Sequence, residues 1–193
     1  MNSDKKDTMT ISQNKKNVNA GKIVILGLLT AMSIVLGKML AFNIGINIRI
    51  SFENLPILMA GIFFGPVSGV AVGLCADIIG CIIAGYAINP LITLGGMAIG
   101  LLSGLVSQRI LKSDSGFIPY FLSVFSAHAV GSMLIKSIGL HVYYGTPLKV
   151  LVFRIPLYIG IGILETYIIY LLRKNKAFSE QLERMCKKNG RLQ

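Results

Sequence analysis

Arg154 interrupts an apolar run from 150 to 172 whose other ionisable side chain, tyrosines aside, is Glu165. Lys136 stands late in a second run, 118–139, with His128 eight residues before it, and Asp77 stands in a third, 67–84. A guanidinium at membrane depth costs at least ~2.5 kcal/mol on insertion scales, and such groups mark function by default. Arginine offers a planar fork suited to carboxylates and flat rings, and lysine a point charge. Two cations against the single carboxylate Asp77 leave a positive excess that suits an anionic ligand. The competing reading is an internal salt-bridge network, with Asp77 pairing one cation and fixing helix register. Tyr86 and Asn89, in "GYAINP", add a ring and an amide after the Asp77 run. Arg49 and Glu53 lie in a mixed stretch before it. His128 is a further candidate contact, although an interior histidine with satisfied nitrogens is its commoner role. Glu165, three helical turns beyond Arg154, reads as the cap of a polar pocket or a partner contact.

Catalysis is not indicated. Ser51 or Ser126 with His128 and Asp77 makes a triad on paper, but no nucleophile elbow accompanies it. No P-loop and no HExxH motif occurs. Cys75, Cys81 and Cys186 form no CxxC pair and only two histidines are present, so neither a metal site nor a disulfide framework is expected. A small membrane enzyme acting on lipid headgroups would need a metal-binding carboxylate cluster or a nucleophile. A binding protein without a cofactor fits better.

The elements that position these residues follow from composition. The chain is 53% hydrophobic and 14% charged, with mean hydropathy +0.69; ordinary soluble domains carry roughly 25% charged residues. This is the composition of an all-α integral membrane protein, and the length admits six transmembrane helices. The spans are expected at 23–41, 55–64, 67–84, 91–106, 118–139 and 148–172. The uncharged stretch 55–76 is divided because Gly65-Pro66 cuts it. Between spans one and two, isoleucines alternate at 44, 46, 48 and 50, which favours an extended loop after helix 1. Residues 1–19 read as a mobile cytoplasmic tail, 20–174 as the membrane bundle with its pocket, and 175–193 as a basic cytoplasmic tail.

The net charge of +11 is not a nucleic-acid footprint. The basic residues cluster before the first span and after the last, without interleaved aromatics that would stack bases. With both termini cytoplasmic, every lysine and arginine lies on the inner side except Lys38, Arg49, Lys136, Lys149 and Arg154. That satisfies the positive-inside bias and contact with anionic headgroups of a cell membrane. The five exceptions mark an outward-facing cationic cavity. On span one, Gly27 and Ala31 lie four apart with Val35 next on the same face, a spacing that admits close helix approach. It serves either the protein's own bundle or a partner.

Two strings make a family resemblance specific. "RISFENLPILMAGIFFGPVSGVAVGLCADIIG" (Arg49–Gly80) and "GYAINPLITLGG" (Gly85–Gly96) closely resemble the substrate-binding S components of energy-coupling factor (ECF) vitamin transporters, most of all the folate-specific members. The likeness continues through Lys136 and Arg154 and leaves out the tails. It implies a six-helix bundle that binds one vitamin near its outer face, with the loop after helix 1 closing over it. It further implies association with a transmembrane coupling protein and two ATPase subunits, which use the ATP. In the family a small-residue face of helix 1 meets the coupling protein, which points to Gly27, Ala31 and Val35. The usual pattern is alanine–x3–alanine, and here glycine and valine flank a single alanine. Folate brings a pterin, an aminobenzoyl linker and a glutamate with two carboxylates. Asp77 suits the pterin's adjacent donors, Tyr86 and Phe52 suit ring stacking, and the cations suit the glutamate or the pterin. Thiamin, itself a cation, fits an excess of positive charge poorly, and the lack of tryptophan weakens a purely aromatic cage for riboflavin.

Overall fold

The computed structural model describes residues 20–44, 48–110 and 116–187. The proposed tail at 1–19 lies outside the described residues. Helix α1 (Ala20–Ile34) runs into a wider π-type turn at Val35–Met39. Strands β1 (Phe42–Ile44) and β2 (Ile48–Ile50) then pair antiparallel, Phe42 opposite Ile50 and Asn43 opposite Arg49. The extended segment expected from the isoleucine alternation is therefore a short two-stranded ribbon.

Helices α2 (Asn54–Phe64) and α3 (Pro66–Ala84) meet at Gly65, whose φ of +92° is open only to glycine without strain. Pro66 opens α3, where the N–H it lacks would have had no intrahelical partner. The Gly65-Pro66 break thus falls where the sequence places it. Helix α4 (Pro90–Ile110) follows. Then α5 (Phe117–Ala127), a π segment (His128–Ile135) and α6 (Lys136–Tyr144) form one continuous rod. Helix α7 (Leu148–Lys174) carries Pro156 in its interior, two residues after Arg154. The basic stretch beyond 174 is not featureless: Lys176–Lys187 forms α8, whose Phe178 meets Phe63 edge-on at 5.5 Å and whose Leu182 is buried.

Among the described residues, five rods are long and apolar enough to cross a membrane: 20–39, 66–84, 90–110, 117–144 and 148–174. Helix α2 is apolar but only 11 residues long, about 16 Å at 1.5 Å per residue, well short of the ~30 Å hydrocarbon thickness. Its neighbours explain how so short a helix is accommodated. Every residue of it but Phe63 is buried, so protein rather than lipid covers it on all sides. That is the setting expected of a helix that is apolar all round.

The tightest packing joins α3 to α4, with α2 against both. A Cβ added at Gly69 would lie 2.4 Å from the Gly100 carbonyl oxygen, and one at Gly73 would lie 2.5 Å from that of Gly96. The glycine series on α4 is therefore a contact surface for α3, of the small-residue kind typical of membrane helix pairs. Leu58, Ile99, Val124 and Ile169 fill the centre and are fully buried. Large apolar side chains cover the outside, among them Val24, Val67, Ile82, Ile83, Phe153 and Leu164. A continuous apolar exterior is stable against lipid and not against water.

Candidate functional site

The helices alternate in direction, so the strand pair, the α3–α4 connection and the α6–α7 connection gather at one end of the bundle. At the other end lie the α2–α3 turn, Arg109 and Lys174, with Lys22 Nζ donating to the Phe64 carbonyl at 3.3 Å. A cavity of about 340 Å³ opens among the first set, within the size range of small-molecule sites. Its walls carry Lys38, Glu53, Asp77, Lys136 and Arg154, the rings of Tyr86, Tyr144 and Tyr158, and Ser51 and Asn89.

Of the residues singled out in the sequence, the cavity brings together Asp77, Tyr86, Asn89, Lys136 and Arg154. Lys136 and Arg154, on antiparallel rods, share one chamber as their depths predict. Lys136 is buried and donates to Glu53 Oε1 at 2.8 Å and to Asn54 Oδ1 at 3.1 Å. The carboxylate paired with Lys136 is thus Glu53 and not Asp77. Asp77 instead accepts from the Thr93 hydroxyl of α4 at 2.5 Å. An ammonium has three N–H donors, so Lys136 retains one beyond Glu53 and Asn54.

Arg154 lies over the ring of Tyr158, guanidinium carbon to centroid 5.2 Å, and donates through Nη2 to its hydroxyl at 3.0 Å. Residues four apart share a helix face, so this stacking is built into α7. Its Nη1 is buried with no hydrogen-bond partner among the described residues. Asn89 is the same case on a smaller scale. Its Oδ1 caps the start of α4 by accepting from the backbone of Leu91 and Ile92, while its Nδ2 is buried without a partner. Both residues line the cavity, although these two nitrogens are themselves buried; unsatisfied buried donors cost ~1–3 kcal/mol each until something accepts from them.

Three candidates, His128, Glu165 and Phe52, lie off this cavity. His128 is buried but does not line the cavity. It sits behind the cavity wall, its ring 5.5 Å from that of Tyr158 and its Nε2 2.5 Å from Glu165 Oε2. Helical spacing put it roughly on the Lys136 face, but on the same rod His128 meets Glu165 of α7 while Lys136 meets Glu53 and Asn54. Glu165 does not line this cavity either and is fully buried. Phe52 is half-buried and absent from the lining. The backbone of Arg49 is in β2, and its side chain is outside the described set.

Lys38, one of the five outward cations, joins the cavity, as do Glu53, named in the sequence only as part of a mixed stretch, and Tyr158, not singled out before. Glu53 precedes a helix, and nothing in its spacing tells of Lys136, 83 positions away. Lys38 leaves the first π turn and stands 5.2 Å over the Tyr86 ring. Tyr158 was within reach of helical periodicity, four residues after Arg154. Gly95 gives room to Lys136, since a Cβ there would fall 2.5 Å from the lysine Cγ. On α1, Gly27, Ala31 and Val35 all face outward, and nothing lies within 4 Å of a Cβ placed at Gly27.

Against this geometry, the family model for the substrate-specific component of ECF transporters matches residues 21–173. The chain belongs to that family. It is a transport component that recognises a substrate, not an enzyme. Solved S components share its fold. That of FolT bound with folic acid superposes with a TM-score of 0.66 at 22% identity, over 82% of this chain and 96% of that one. The S component for biotin from an ECF-type ABC transporter gives 0.66 at 21% identity, over 85% and 96%. A third S component of a bacterial ECF transporter gives 0.61 at 20%, over 80% and 94%. No curated protein matches the sequence significantly.

Proposed function

We propose that this S component binds folate at the outer face of the cell membrane and delivers it to an ATP-driven importer. The observation that carries the reading is one cavity walled by the cations Arg154 and Lys136, the Asp77 carboxylate, the Asn89 amide and three tyrosine rings, with Nη1 of Arg154 and Nδ2 of Asn89 still unsatisfied. Folate offers what each lacks. Its glutamate carboxylates accept from Arg154 and from the remaining donor of Lys136. Its pterin edge donates to Asp77, and its rings stack on tyrosine. Biotin, with one carboxylate and no aromatic ring, uses less of this wall. Because folate-bound and biotin-type relatives fit the fold equally well, the choice rests on the cavity chemistry.

The proposal extends to the assembly. Six spans, α2 counted as the short one, put the basic ends of the chain in the cytoplasm and the cavity outside, in accord with the positive-inside bias. Domain limits stay at 1–19, 20–174 and 175–193, with α8 as part of the last segment. The outward face at Gly27, Ala31 and Val35 meets the coupling protein, which joins the two ATPase subunits. The strand pair after α1 closes over the ligand.

Equilibrium binding to the purified, detergent-solubilised chain tests the substrate directly. Folic acid should bind saturably at one per chain, about a hundredfold or more tighter than biotin, riboflavin or thiamin, a gap of ~2.7 kcal/mol. Tighter binding of any of the other three would overturn the assignment to folate.

A further inference from the structure

The His128–Glu165 pair does not line the cavity, yet an unbroken hydrogen-bonded chain leads from it to Lys136, which does. Glu165 Oε2 stands 2.5 Å from His128 Nε2, and His128 Nδ1 stands 3.1 Å from Ser132 Oγ. Asn54 Nδ2 donates to Ser132 Oγ at 3.4 Å, and Asn54 Oδ1 accepts from Lys136 at 3.1 Å. Glu165, His128, Ser132 and Asn54 are each no more than 1% exposed.

An ammonium can only donate, so the oxygen of Asn54 faces Lys136 and its NH2 faces Ser132. The serine hydroxyl accepts from Asn54 and meets His128 Nδ1, whose other ring nitrogen meets Glu165. Disturbing one member of a buried polar chain is felt along it. A second contact leaves the same histidine: its ring packs against Tyr158, whose hydroxyl accepts from Arg154. The two cavity cations, on different rods, are thus braced by one buried pair.

We infer that Glu165 and His128 are positioning residues for substrate binding: they aim Lys136 through Ser132 and Asn54, and Arg154 through Tyr158. The inference rests on the reading of Lys136 and Arg154 as ligand contacts. The alternative is that the pair merely ties the fifth rod to α7.

Double-mutant cycles on folic acid affinity separate the two, with the thermal midpoint of each empty protein measured alongside. Ser132→Ala cuts the arm to Lys136 and leaves the Glu165–His128 pair in place. It should weaken folic acid binding about tenfold, a coupling typical of contacting residues. In a Lys136→Met background the same change should cost less than about twofold, and in an Arg154→Met background it should keep nearly its full effect. Glu165→Gln, close in shape, should lose much of its effect in both backgrounds. If Ser132→Ala lowers the midpoint but leaves affinity at the wild-type level, the pair is a tie between helices and the inference is overturned. It is equally overturned if Ser132→Ala and Lys136→Met are additive. In that case the ligand-contact reading survives, because Lys136→Met alone still weakens binding. Wild-type affinity in Lys136→Met would instead remove the contact reading and the inference with it. Should Glu165→Gln fail to fold, Ser132→Ala alone decides the lysine arm.

Discussion

Arg154 shows why a charge survives inside a membrane bundle. Stacking on Tyr158 and one hydrogen bond accommodate part of the guanidinium, and Nη1 is left with no partner among the described residues. On the proposed reading an anionic substrate completes the set, so that ligand and cation stabilise each other. Arg154→Ala should accordingly weaken folic acid binding by ~2–5 kcal/mol, the range for truncating one member of a buried charged pair. Arg154→Lys should recover only part of this, because lysine lacks the planar fork. If the arginine served folding alone, the empty Arg154→Ala protein would melt early while its folded fraction bound folic acid normally. Affinity and thermal midpoint of the same variant decide it. Lys136 is a different case: Glu53 already neutralises it at 2.8 Å, so its charge is less available to a ligand than that of Arg154.

At the scale of elements, both departures from regular α-helix adjoin the cavity. One π turn, Val35–Met39, carries Lys38, and the other, His128–Ile135, ends immediately before Lys136. Widened turns of this kind are frequent at functional sites, because they re-aim a side chain without breaking the rod. The β1–β2 ribbon is the opposite sort of element. It has three residue pairs and no third strand among the described residues, and isolated two-stranded ribbons are marginal in water. If it is a lid, its backbone amides from Phe42 to Ile50 should exchange rapidly in the empty protein and slow at least about tenfold with folic acid bound. Equal exchange in the two states would identify the ribbon as fixed structure.

For the whole molecule, the surfaces proposed for recognition and for coupling are different ones. The cavity is bounded by the inner faces and one end of the rods, whereas Gly27, Ala31 and Val35 lie on the outside of α1. A bulky side chain on that outer face would hold a partner helix away without reaching the cavity. Ala31→Trp should therefore leave folic acid affinity within about twofold of wild type, the scatter of a surface substitution. It should abolish most uptake by the complete transporter. Loss of affinity with intact assembly would show that this face serves the protein's own bundle instead.

The sequence by itself determined the membrane class, the course of the long rods and the break at Gly65-Pro66, since hydropathy and backbone stereochemistry are local properties; the rod ends expected at 106 and 139 lie instead at 110 and 144. It also singled out Asp77, Asn89, Lys136 and Arg154, because a polar group in an apolar run is conspicuous wherever the chain goes. Tertiary structure decided the partners. Glu53 meets Lys136 from 83 residues away, and no local spacing encodes that distance. His128 faces Glu165 of α7 and not the cavity, a pairing across 37 residues that no local spacing encodes. The 11 residues of α2 could stay short because neighbouring helices, and not lipid, surround it. Local chemistry names the charges; only the packing of the rods decides which of them are already satisfied and which still await a ligand.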